Sequence, residues 1–222
     1  NQWLPQERAW NYGVSYMTNF MMFDYPATLV MDYFETKFLS QVLVDRDQNA
    51  TEVYINSVHG KEAGKTRIAQ VDLNGYLHRR LSFKVSYRWI NSQQWLNYQF
   101  QQQPLQSIHR AIGALQYQTR NKWYIDAVGQ FNSRKRLPYY SSISHPKHPG
   151  YSPNYWIVNL QVRKVISQQF EFYFGGENLA NVSQHHPIMN WEKPAATDFD
   201  AGYAWGPTNG RTVYAGLRWS VF

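Results

Sequence analysis

Apolar and polar residues alternate along this chain with a period of two, over stretch after stretch. In LSFKVSYRW, Leu81, Phe83, Val85, Tyr87 and Trp89 fall on one face, while Ser82, Lys84, Ser86 and Arg88 fall on the other. Successive side chains of an extended strand point to opposite faces, so this is a strand with an oily side and a wholly polar one. The same pattern runs through Trp10, Tyr12, Val14, Tyr16 and Phe20, through Leu29, Met31 and Tyr33, and through Ala69, Val71, Leu73 and Leu77. It continues in Ala111, Leu115 and Tyr117, in Trp123, Ile125, Ala127 and Phe131, and in Trp156, Val158, Leu160 and Val162. Phe170, Phe172 and Phe174, then Val213, Ala215, Leu217, Trp219 and Val221, complete it. This predicts about nine strands, many near the ~10 residues that a tilted strand needs to cross a bilayer.

The connections alternate as well. Those near residues 24, 79, 121 and 167 are short, whereas those over roughly 44–64, 98–107, 134–153 and 179–209 are long and rich in Gly, Pro, Ser, Asn and His. Asn74-Gly75 would suit a tight hairpin, but the alternation continues through Leu77 and places the turn at His78-Arg79-Arg80. Short turns at one end and long loops at the other predict an all-β fold, an antiparallel transmembrane barrel segment with its short turns in the periplasm.

Composition sharpens this. Aromatic residues make up 17% of the chain, with 17 Tyr and 9 Trp, yet the mean hydropathy is only −0.59. No run approaches the ~18 apolar residues of a spanning helix, which excludes a helical membrane protein. A soluble β-sandwich would alternate too, but its core admits Trp and Tyr only where their polar atoms find partners. Here Trp10, Tyr12, Tyr87, Trp89, Trp123, Trp156 and Trp219 gather at the ends of the apolar face, as aromatic girdles do at headgroup level.

The polar face carries Lys84, Arg88, Arg110, Arg163 and Arg218 interleaved with Asp32, Asp72, Asp126, Glu171 and Glu177. Such charges either pair along the wall of a lumen or line a polar path for a ligand. Candidate ligand contacts in the long loops are Arg134, Arg136, Tyr139, Tyr140, His145, His148, His185, His186 and Trp191, which offer stacking, positive charge and imidazole. Adjacent His185 and His186 on an extended segment point apart, so no metal site is expected. Arg134-Lys135-Arg136 would equally suit lipopolysaccharide phosphate at the outer rim.

The chain has no Cys, which removes disulfides, thiolate metal sites and Cys nucleophiles together. No Gly-x-Ser-x-Gly, His-Glu-x-x-His or phosphate loop occurs, so neither enzyme activity nor a cofactor is expected. The formal net charge is +7, but Lys and Arg are scattered and no nucleic-acid-binding motif accompanies them, so no nucleic-acid partner is expected.

Four segments, in order, resemble TonB-dependent outer-membrane receptors, especially those of Bacteroidetes. AWGPTNGRTVYAGLRWSVF is similar to their last loop and strand, and FEFYFGGENLANVSQHHPI, with Gly175-Gly176-Glu177-Asn178-Leu179, resembles the strand and loop before it. IHRAIGALQYQTRNKWYIDAVGQFNSRKRLP resembles a strand pair of the same receptors, and ERAWNYGVSY an earlier strand. The resemblance implies a plugged barrel of about 22 strands, of which residues 1–222 would be the C-terminal portion, the plug domain and N-terminal strands lying outside this chain. It implies active import of a scarce nutrient across the bacterial outer membrane, such as a ferric siderophore, haem or cobalamin, the alternative being a passive or structural barrel. The partners implied are outer-membrane lipid and lipopolysaccharide, the rest of the barrel, the nutrient, and the TonB complex acting through the absent plug. In the family the terminal aromatic keeps the outward phase; here Val221 keeps it and Phe222 stands one step out.

Overall fold

A computed structural model describes residues 4–48, 52–96, 99–138, 150–197 and 199–221. Ten antiparallel strands form one sheet: β1 (Arg8–Met22), β2 (Tyr25–Asp45), β3 (Tyr54–His78), β4 (Leu81–Leu96), β5 (Gln99–Gln102), β6 (His109–Gln118), β7 (Trp123–Asn132), β8 (Tyr155–Val165), β9 (Phe170–Glu177) and β10 (Thr212–Trp219). Nine of them follow one another in spatial order, and β5 folds back on the end of β4. β1 and β10 are the two edges, so the sheet is not closed within the described residues.

Short turns fall where the pattern put them, between β1 and β2, β3 and β4, β6 and β7, and β8 and β9. Asn74 and Gly75 lie inside β3, paired with Lys84 and Phe83. Two long connections are shorter than expected. β2 runs to Asp45 and β3 begins at Tyr54, so most of the expected 44–64 loop is strand. A register shift explains the misreading: Phe38 pairs with Gly64 but Ser40 with His59, and the extra residues, entered by Gly60 at φ 123°, break the alternation. The 98–107 segment likewise contains β5.

The apolar residues of the alternating pattern that lie in the paired strands share one face. Its rows cross the sheet without a break, as in Phe20–Ala27–Gly75–Phe83–Leu115–Ala127–Leu160–Gly176–Val213. Nothing among the described residues covers this face: Trp10, Trp156 and Trp219 are 68%, 54% and 73% exposed. The buried apolar cluster is small and lies elsewhere, at Leu137, Met189 and Tyr203. A water-soluble fold of this size would reverse that arrangement, so the oily face is the outer wall of a membrane barrel.

The band has a defined upper limit. Above the row Val14–Tyr33–Ala69–Trp89, the same face turns charged, with Glu35 between Arg67 (3.3 Å) and Lys37 (3.7 Å). Lys37 also lies 5.6 Å over the Tyr12 ring, which joins the charged zone to the aromatic girdle. Strands β2 and β3, at 21 and 25 residues, are long enough to carry the wall well beyond hydrocarbon.

Candidate functional site

The polar face is roofed at its long-loop end by three segments that fold together. Residues 103–108 follow β5, residues 133–138 follow β7, and residues 178–211 join β9 to β10. Bridges tie Ser107 to Lys135, Arg136 to Tyr151 and Met189 to Asp200. Beneath them Leu137, Met189 and Tyr203 pack with Leu105 and Trp205. Burial, with the Asp200 carboxylate adding to it, pushes the Tyr203 hydroxyl up to about 12, so it stays neutral at ordinary pH.

The described residues of the 178–211 segment form no strand of their own, and buried side-chain amides hold them. Asn178, at positive φ, accepts from the Val182 N–H (3.0 Å) and donates to the carbonyls of Val182 (2.7 Å) and Asn209 (3.2 Å). Gln184 Oε1 accepts from the N–H groups of Trp205 (2.7 Å) and Gly206 (3.2 Å), and its amide donates to the Tyr203 carbonyl at 3.2 Å. Backbone groups that would otherwise be unpaired in a loop are thereby satisfied. Gln184 carried no recognisable signal in the sequence, being one polar residue in a polar stretch.

The expected loop contacts divide into three groups. Arg136 is engaged in the roof itself: its Nε donates to the Gln102 carbonyl at 2.6 Å, and its two terminal nitrogens lie 3.0 and 2.8 Å from the Asp47 carboxylate oxygens. Arg134 stacks 4.9 Å over the exposed Tyr151 ring, and His185, His186 and Trp191 are exposed. Tyr139, Tyr140, His145 and His148 lie outside the described residues, as does Phe222. Among the described residues no cluster of three metal-ligating side chains occurs.

The ten charges expected on a lumen wall are all on the polar face but do not form one network. Glu171 is held between Arg163 (2.7 Å) and Arg218 (2.6 Å), and Arg163 stacks 4.1 Å over Tyr124. Asp32 accepts from the Ser15 hydroxyl at 2.5 Å, and Asp72 from Gln70 at 2.6 Å and from Ser86. Lys84, Asp126 and Glu177 stand on the wall opposite Asn74, Gln116 and Thr212 respectively. Arg88 and Arg110 face each other directly across β4 and β6 and line a recess of about 400 Å³ beneath the roof, together with Gln130, Asn132, Lys135 and Tyr155.

Glu171 joins β8, β9 and β10 through its two guanidiniums. Glu171→Gln leaves Arg163 and Arg218 facing each other across β9, and a lower denaturant midpoint for unfolding in detergent is expected. Removing all three charges together should restore much of the loss, and an unchanged midpoint in the single variant would show that the triad contributes nothing.

No protein-family model and no curated protein sequence matches the chain. Solved structures do. The closed form of the ferric-catecholate import receptor Fiu from E. coli K12 matches with a TM-score of 0.66 at 14% identity, over 97% of this chain and 28% of that one. FpvAI, solved with pyocin S2, gives 0.62 at 11%, over 97% and 27%. The ferric enterobactin receptor PfeA of Pseudomonas aeruginosa gives 0.61 at 13%, over 98% and 32%. The chain therefore spans less than a third of the length of each of these receptors. Its fold is that of a bacterial outer-membrane receptor barrel. More particularly, it is the barrel fold of the TonB-dependent receptors, matched over a part of each.

Proposed function

We propose that this chain is the C-terminal part of a TonB-dependent receptor that actively imports a scarce nutrient across the outer membrane, a ferric siderophore, haem, cobalamin or a ligand of similar size. The observation that carries this reading is the ordered roof over a charged wall. A passive channel gains nothing from three interlocked loops folded over the polar face of its wall, whereas a receptor needs a rigid outer surface above a polar passage. The remaining strands and the plug come, on this reading, from the rest of the receptor, because the unpaired edges of β1 and β10 cannot stand in lipid. Arg134, His185, His186 and Trp191 form the outer capture surface. Charge on the inner wall then keeps the passage hydrated when TonB draws on the plug. The shared fold of iron-siderophore receptors supports the nutrient class, and the lipid-facing band supports the location.

The test is uptake in cells carrying the full-length receptor with and without TonB. Accumulation of labelled ligand against its gradient is expected only when TonB is present. Equal accumulation in both strains would leave a passive barrel.

A further inference from the structure

Among the charges on the lumen wall, two of like sign stand directly opposite each other. Glu171, Asp32 and Asp72 all have partners. Arg88 and Arg110 form no ion pair among the described residues, although they are directly opposite on adjacent strands. Like charges placed opposite each other in a sheet repel, so this juxtaposition is costly unless an anion sits between or above them. No carboxylate lines their recess.

What lines it instead is neutral side chains and one further cation. Lys135 stands at the rim, its ammonium held by the Tyr155 hydroxyl at 3.2 Å and by the Trp205 carbonyl, which fixes a third positive charge above the pair. The Asn132 amide nitrogen, in a residue only 3% exposed, has no acceptor among the described residues, and neither Asn132 nor Gln130 carries charge. Three cations line a space large enough for a small polyanion, just under the folded loops.

We propose that Arg88 and Arg110, with Lys135 at the rim, form an oxyanion-binding site on the lumen wall that takes a carboxylate, catecholate or phosphate group of the imported ligand. The inference rests on the import reading and narrows it: the cargo is anionic, and it is handed from the outer loops to a guanidinium pair on the wall. Paired guanidiniums offer several N–H donors in fixed planes, which suits bidentate capture of oxyanions, while the wet lumen keeps the contact weak enough for release.

The test uses the purified full-length receptor in detergent, titrated with citrate and, in parallel, with its uncharged trimethyl ester. Tryptophan fluorescence is the readout, because Trp205 touches both Lys135 and the Tyr155 ring (5.8 Å) at the rim. Saturable citrate binding is expected, weakened by added salt and absent with the ester. The R88Q/R110Q variant should bind citrate more weakly by at least about tenfold, since two charge-assisted contacts are removed. The R88K/R110K variant, which keeps charge but loses the planar fork, should fall between. Heat-dependent gel mobility confirms that each variant is folded. Equal binding of citrate and ester, absence of saturable citrate binding, or an unchanged titration in R88Q/R110Q would each overturn the proposal. So would an unchanged titration accompanied by new protease sensitivity of the plug, which would assign the arginines to a plug carboxylate. TonB-dependent uptake is measured on the same preparations of cells. Energised uptake with an unaltered R88Q/R110Q titration sinks only the recess, whereas passive uptake sinks only the import reading.

Discussion

Cells whose receptor carries a short Gly-Ser turn in place of residues 180–209 should assemble the barrel normally yet take up ligand at least about tenfold more slowly. Assembly survives because Glu177 and Thr212 are paired neighbours, so a few residues span the gap without disturbing the register of β9 and β10. Uptake fails for more than one reason. The exposed His185, His186 and Trp191 go with the segment, and so does most of the apolar cluster, since loss of Met189, Tyr203 and Trp205 leaves Leu105 and Leu137 uncovered. Lys135 also loses the Trp205 carbonyl that fixes its ammonium. The measurement pairs heat-dependent gel mobility, which reports a closed barrel, with accumulation of labelled ligand. Wild-type uptake by a correctly assembled deletion variant would remove this loop from the import pathway.

How much of this was legible in the sequence depended on where water and lipid alternate across the wall. From Leu81 to Trp89 every second residue meets a different solvent, and the pattern alone sets strand, phase and facing. Where the wall rises above hydrocarbon that contrast disappears: Glu35, Lys37 and Arg67 face outward into a polar zone, and the bulge between Phe38 and Ser40 shifts the phase as well. The upper parts of β2 and β3 therefore read as loop. β5 was hidden for a related reason, since Gln99 to Gln102 carry no apolar side except Phe100, which packs 4.9 Å from Trp95.

The candidate site was legible in its ingredients but not in its pairings. Phase alone puts Arg88, Arg110, Arg163 and Arg218 on the polar wall. Which of them find a carboxylate depends on register between strands far apart in sequence, as when Glu171 reaches Arg218, and no local pattern encodes that. Arg136 shows the converse. A run of three basic residues suggests an exposed patch, yet a connection between β2 and β3 brings Asp47 to its guanidinium. The roof itself depends on Asn178 and Gln184, whose amides act only after the chain has closed over them.

Gly216→Val and Gly175→Val should each destabilise the barrel by roughly 1–3 kcal/mol, the usual cost of forcing bulk into a packed place. Neither glycine has a positive φ, so backbone freedom is not what the two positions require. Space is. Tyr173 lies across the strand from Gly216, and Tyr214 from Gly175, in two reciprocal pairs on the lumen face. A Cβ at Gly216 would stand 2.3 Å from the Tyr173 ring carbon and hydroxyl, and one at Gly175 would stand 2.5 Å from those of Tyr214. Both rings thus lie flat over glycine, 6.3 Å apart, and Tyr214 reaches Gln161 at 2.9 Å. Valine lifts the ring off the wall, breaks the Gln161 contact when the position is Gly175, and pushes a phenol into the passage. Equilibrium unfolding in detergent measures the loss, and a cycle with Tyr173→Ala isolates its cause. If the ring is the obstacle, Gly216→Val becomes nearly neutral once Tyr173 is alanine. A cost that persists in that background would mean that the strand backbone, and not the tyrosine, sets the requirement for glycine.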